Sequence, residues 1–158
     1  MTDELPFYPK CFVCGDKRRG SLGLRFRRED EKVVSQFVLL EKHMGYPGIV
    51  HGGILAAILD EAMAWAVFVK DGHFAVSAEI KVRYTKPLPP GQPVRVLAYV
   101  VNQRRNIYEV AGEISDDSGV VYARAWGRSI LAPPDYNRHW LQVIKKADSL
   151  TKTSKAKP

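Results

Sequence analysis

In His51-Gly52-Gly53-Ile54-Leu55-Ala56-Ala57-Ile58-Leu59-Asp60-Glu61-Ala62-Met63-Ala64-Trp65-Ala66-Val67-Phe68-Val69-Lys70-Asp71-Gly72, the run from Gly52 to about Lys70 is the one long stretch of this chain with helical period. It follows a loop rich in glycine and proline (Gly45, Pro47, Gly48) and ends at Asp71-Gly72, where Gly72 suits a left-handed cap. At 100° per residue, Leu55, Ile58, Leu59, Ala62, Trp65, Ala66 and Val69 share a broad apolar face fit to be buried. The opposite face carries Gly53, Ala56, Ala57, Asp60 and Ala64: small residues around one carboxylate. Glu61 lies off the centre of that face and reads as a flanking or salt-bridge residue.

Strand patterns lie on both sides of this helix. Residues 22–29 alternate Leu22, Leu24 and Phe26 against Gly23, Arg25 and Arg27, and residues 33–40 form a second apolar, β-branched run. After the helix, residues 76–84 alternate Val76, Ala78, Ile80, Val82 and Tyr84 against Ser77, Glu79, Lys81 and Arg83. Residues 94–101, 107–114 and 120–131 complete the set, with turn chemistry at 102–106 and 116–119. The order is two strands, a helix, then four antiparallel strands. That predicts an α+β fold, with one long central helix wrapped by a curved antiparallel sheet of about six strands. Three regions follow: an N-terminal loop segment over 1–21, the main domain over 22–132, and a basic tail over 133–158 with a short helix near Trp140, Leu141 and Ile144.

The 158 residues make a single domain by length. The net charge of +7 is unevenly spread. From Arg138 onward six basic residues face one acid, Asp148, a difference of +5 that leaves +2 for the rest. No helix-turn-helix or RNA-binding pattern accompanies the tail, so no nucleic acid is expected as partner. The polar start, with Asp3 and Glu4, has no signal-peptide pattern, and no uninterrupted apolar run of about 18 residues suggests a membrane span. A cytoplasmic protein is the expectation. Cys11 and Cys14 are the only cysteines and stand as C-x-x-C. Without a second pair, a structural zinc lacks ligands, and the redox reading lacks its thioredoxin-like context. The pair reads as two partly buried thiols, with no metal and no cofactor.

The start of the helix and its carboxylate are where chemistry is concentrated. First-turn N–H groups have no partner inside a helix, and the dipole there favours negative charge. Glycines at 52 and 53 allow a ligand oxygen to come close to those groups, polarising a carbonyl and stabilising an oxyanion. The alternative is a tight turn into the helix, with His51 as a packed residue.

The decade from His51 to Asp60 resembles the H-G-G-x(6)-D helix motif of hotdog-fold acyl-CoA thioesterases related to the phenylacetate-pathway enzyme. The similarity continues over residues 77–87 with Tyr84 and Pro87, over the hairpin at 117–127, and at the opening Cys11-Phe12-Val13-Cys14-Gly15, roughly residues 11–131 in all. The resemblance implies hydrolysis of an acyl-CoA thioester. Asp60 would act as nucleophile or as general base on water, and the Gly52 N–H would hold the thioester oxygen with Gly53 beside it. Ser77 would help place water. One position departs: several members carry Asn six residues before the His, and here it is Gly45, with His43 and Tyr46 as nearby substitutes. Candidate substrate contacts are His51, Trp65 and Tyr84, with Phe68 and Phe74 also able to line an acyl pocket.

Thioester hydrolysis needs an oxyanion donor and a positioned base or nucleophile, and neither metal nor redox cofactor. The alternatives are a non-catalytic acyl-CoA-binding module and a hydratase. The hydratase would want a His/Asp dyad, yet His51 and Asp60 lie about 160–180° apart around the helix. Gly52 and Asp60 are separated by about 12 Å along one helix axis. A shared site in a homodimer, or in a dimer of dimers, is therefore expected.

Overall fold

The computed structural model describes residues 2–155, with side chains described from Asp3 to Ala147. The elements are β1 (Thr2–Glu4), β2 (Arg27–Glu29), β3 (Lys32–Val38), α1 (Gly52–Asp71), β4 (Ala75–Tyr84), β5 (Pro93–Arg104), β6 (Ile107–Ser115), β7 (Val121–Leu131) and α2 (Pro134–Lys155). The strands form one sheet in the order β1-β2-β3-β5-β6-β7-β4, every neighbouring pair antiparallel. The sheet curves around α1, which packs across β3 to β7. This is the hotdog architecture, with seven strands rather than about six.

Both ends of α1 are set by local chemistry. His51 is its N-cap and Gly72 its C-cap at φ +70°, with the Gly72 N–H donating to Phe68 O at 2.7 Å. Leu55, Ile58, Leu59, Ala62, Trp65 and Ala66 are buried as their spacing predicts. Met63 and Val67 are buried as well, while Val69 is only half-buried, so the packed face is wider than the pattern indicated. A curved sheet encloses more than one stripe of a helix. By composition α1 is long and apolar enough to cross a bilayer, with mean hydropathy 1.7. Its packing under the sheet accounts for that apolarity.

Three expectations need correcting. Residues 21–26 are not the first half of a hairpin strand: the Leu22 and Leu24 N–H groups donate to Phe12 O and Val13 O, tying this stretch to the N-terminal loop. β2 is therefore only three residues long, and β1 covers its outer edge. On β4 the simple alternation fails, because a register shift lies between Ser77 and Glu79. Ser77 faces α1 together with Val82 and Tyr84 rather than sharing a face with Glu79, Lys81 and Arg83.

The third concerns the tail. Its helix, Pro134–Lys155, spans 22 residues, where the sequence suggested only a short helix near Trp140, Leu141 and Ile144. Pro134 suits a helical first turn, and Trp140, Ile144 and Ala147 repeat with helical spacing. The helix is docked, not loose. Asn137 is 5% exposed and its Oδ1 accepts the Phe74 N–H at 2.8 Å, Trp140 meets the Phe74 ring edge-on at 5.9 Å, and Ile144 packs on the core.

Candidate active site

α1 and β4 place the candidate residues at two stations. At the first, Asp60 is half-buried on the small-residue face, flanked by the half-buried Ala56, Ala57 and Ala64. Ser77 Oγ donates to Asp60 Oδ1 at 2.5 Å. Among the described residues Oδ2 has no partner, so one oxygen is anchored and the other is free to meet water or substrate. The β4 bulge makes this possible, since it re-aims Ser77 at the helix.

The second station is the start of α1. A cleft of about 650 Å³ is bordered by Tyr46, His51, Gly52, Tyr84, Lys86 and Leu88. Tyr84 Oη donates to Gly52 O at 2.8 Å, and the ring lies over the glycine: a Cβ on Gly52 would come within 3.1 Å of Tyr84 Cζ. No acceptor within the described chain takes the Gly52 N–H, which is the orphan donor of a helix start. Gly53 differs. Its N–H already donates to His51 Nδ1 at 2.9 Å, and a Cβ there would meet that nitrogen at 3.0 Å. With Nδ1 accepting, the neutral imidazole carries its proton on Nε2 and offers a donor at the cleft. The geometry thus distinguishes two glycines that the sequence treats as equivalent: Gly52 offers an N–H, and Gly53 makes room for the His51 cap.

The other candidates divide. Gly45 and Tyr46 line the cleft, and Tyr46 is largely exposed there. His43 does not; its Nδ1 accepts the Leu40 N–H at 2.9 Å, and burial followed by the Lys42 and Lys17 charges pushes its imidazole toward the neutral form. Trp65 is not brought to this cleft. It is 6% exposed, donates from Nε1 to Glu61 Oε1 at 3.3 Å, and packs edge-on against Phe68 and Phe74. Helical spacing shows that Trp65 is inside but not which neighbours it meets. Lys86 gives the cleft a cation that the sequence reading passed over, as a charge in a Pro-rich connection carries no pattern of its own.

β4 is the last strand of the sheet, with β7 its only partner among the described residues. It is ten residues long and mostly exposed, including Val76, Ile80 and Tyr84. An edge of this length beside the small-residue face of α1 is an open template for pairing.

Comparison with known proteins adds the family. The thioesterase superfamily matches residues 47–123, which hold the helix start, Asp60, Ser77 and Tyr84. A protein of Saccharolobus solfataricus named "Putative esterase SSO1253" is 32% identical over 112 residues, 67% of this chain and 71% of its own. Acyl-coenzyme A thioesterase 13 of Mus musculus is 24% identical over 49% of this chain. Against that protein and other relatives the chain spans 38% to 56% of their length. Among solved structures, a phenylacetic acid degradation-related protein of Ralstonia eutropha superposes with TM-score 0.63 at 28% identity, over 72% of this chain and 89% of that one.

Proposed function

The chain belongs to the thioesterase superfamily, and from that premise we propose that it hydrolyses an acyl-CoA thioester to the free acid and CoA. The observation that carries the proposal is the Asp60 carboxylate, anchored through one oxygen by Ser77 and free at the other, on a helix face lined with alanine. An isolated surface acid needs neither the anchor nor the smooth surroundings.

In the proposed reaction the thioester carbonyl oxygen accepts the Gly52 N–H, which stabilises the charge that develops there. Asp60 either takes a proton from the water that attacks the carbonyl carbon, or attacks that carbon itself to give a mixed anhydride that water then hydrolyses to the free acid and the restored carboxylate. The carbon–sulfur bond breaks and CoA leaves as thiolate, to be protonated by solvent. In this reading Lys86, on the cleft wall, pairs with a phosphate of CoA, and the His51 Nε2–H is a further donor to the thioester.

Gly52 and Asp60 are eight residues apart on one helix, about 12 Å along its axis, and a carbonyl must lie about 3 Å from its donor. We therefore place each site between two copies. Antiparallel α1 helices, with a two-fold axis near Ala56, bring the Gly52 of one protomer to the Asp60 of its partner, and the free β4 edges pair alongside. Purified protein tested against acyl-CoAs of varied chain length and aromaticity, with release of free thiol as readout, should show saturable turnover with at least one. Asp60→Asn should fold and be inactive on it. Binding of acyl-CoA without turnover would instead make the protein a binding module.

A further inference from the structure

One residue beyond Asp60 on α1, Glu61 turns to a different part of the molecule. The Cys11 thiol donates to Glu61 Oε2 at 3.0 Å. Cys14 lies beside them, and one ligating atom from each of the three falls within 4.8 Å of the others. The group opens on a second cavity of about 360 Å³, whose wall also carries Trp65, His139 and Trp140. Cys14 packs in the core and Cys11 against it, but the proposed thioester chemistry does not use the polar arrangement around them.

The turn that holds the thiols is built in detail. The Val13 and Cys14 N–H groups both point at Cys11 Sγ, at 3.4 and 3.5 Å. Two N–H groups aimed at one sulfur favour its thiolate, the form that binds metal. The Gly15 N–H closes the turn on Cys11 O at 2.9 Å, and a Cβ on Gly15 would lie 2.2 Å from that oxygen, so only glycine fits. The bonds from Leu22 and Leu24 to Phe12 and Val13 hold the turn from outside. Trp65 Nε1 fixes Glu61 Oε1 and leaves Oε2 facing the sulfurs, an outer partner that orients a ligand.

We propose that Cys11, Cys14 and Glu61 form a binding site for a thiophilic divalent cation, Zn²⁺ foremost, with His139, exposed on the same cavity wall and outside the three-residue cluster, turning in to close the fourth position. Tetrahedral zinc with two sulfur ligands and an oxygen needs ligand separations of about 3.5–3.8 Å, so to take the ion the Cys11–Glu61 pair at 3.0 Å opens by about 0.5 Å and no separation closes by more than about 1.3 Å. Binding replaces two protons: each thiol gives one to solvent, and M²⁺ joins two thiolates and one carboxylate. The hydrogen bond with Cys14 lowers the Cys11 thiol, while the same bond, burial and the Glu61 charge raise that of Cys14. His139 sits on α2 between Asn137 and Trp140, both docked on Phe74. The ion would thus join the N-terminal turn, α1 and α2.

The test uses the full chain, reduced and stripped with a chelator, then titrated with Co²⁺ and next with Zn²⁺. One equivalent of Co²⁺ should give a thiolate-to-metal charge-transfer band and the intense visible absorption of a tetrahedral site, and one equivalent of Zn²⁺ should displace it. Cys11→Ser and Cys14→Ser should lose the charge-transfer intensity. Glu61→Gln and His139→Ala, which leave the turn intact, should each weaken affinity by about tenfold or more. If the cysteine variants do not fold, these two carry the test. Wild-type protein without a thiolate band overturns the proposal, as does either variant titrating like wild type. A Cys11–Cys14 disulfide formed in air, with no metal uptake after reduction, would overturn it in favour of a redox pair. The site stands on observations separate from those for Asp60, so its failure leaves the thioesterase proposal untouched.

Discussion

Ser77→Ala isolates what the Ser77 hydrogen bond does for Asp60. The serine Oγ lies 2.5 Å from Oδ1, in the range of short, charge-assisted O–H···O⁻ bonds. Such bonds contribute about 1.5–3 kcal/mol, and because Ser77 is exposed the lower end applies, about 1.5 kcal/mol. Ser77 pairs with Ser129 through the strand backbone, so alanine keeps the sheet register. If that energy holds the carboxylate in its reactive position, its loss lowers kcat by about tenfold. KM should hardly move, since the proposed carbonyl donor and Lys86 are untouched. The assay is steady-state release of CoA thiol on the best acyl-CoA found, with circular dichroism confirming the fold. An unchanged kcat, or a loss expressed wholly in KM, would refute the idea that Ser77 positions Asp60.

Lys86→Ala should raise KM several-fold at low ionic strength, and the difference should shrink at high salt because exposed charges are screened; a salt-independent effect would remove Lys86 from phosphate binding. Gly53→Ala crowds His51 Nδ1 and should cost about 1 kcal/mol through the disturbed cap, read from the denaturation midpoint. Tyr108 is fully buried and its hydroxyl donates to Asp71 at the end of α1. Burial, then the Asp71 bond, pushes this phenol up to about 12. The folded state therefore keeps a proton that the unfolded chain releases near pH 10, so stability falls as pH rises from about 10 toward 12. Tyr108→Phe should cost about 1–2 kcal/mol at neutral pH and blunt that alkaline loss in pH-dependent melts. Removing residues 135–158 takes away the Asn137 bond and the Trp140 and Ile144 packing, about 3–5 kcal/mol together, seen as a lower denaturation midpoint or as loss of soluble protein.

What the sequence revealed, and what it hid, follows the range of the forces involved. The limits of α1 were legible because both are local: a glycine- and proline-rich loop running into two glycines, and a glycine suited to the left-handed region at 72. Asp60 stood out because a carboxylate among alanines breaks an otherwise smooth face. Tertiary effects were not legible. Thr2–Glu4 has no alternating pattern and is a strand only because β2 offers an edge. The bulge that turns Ser77 toward Asp60 depends on pairing with β7. The His51 bond that occupies the Gly53 N–H depends on a rotamer. Glu61 read as a flank because its partners, Cys11 and Cys14, lie about fifty residues earlier in the chain.

The account rests on one carboxylate and one backbone N–H serving the same carbonyl from two protomers, and a mixed-dimer experiment tests that most directly. One chain carries Asp60→Asn. The other carries Gly52→Pro, which removes the N–H at the first helical position, where no bond within the described chain is lost, and asks only a small shift of Tyr84. Both variants must first be shown to fold and to be inactive alone. When the two are co-refolded in equal amounts, half the dimers are mixed, and in each of these one site collects both lesions and the other neither. The account predicts recovery of about a quarter of wild-type acyl-CoA hydrolysis. No recovery, with mixed dimers shown to be present, would contradict it.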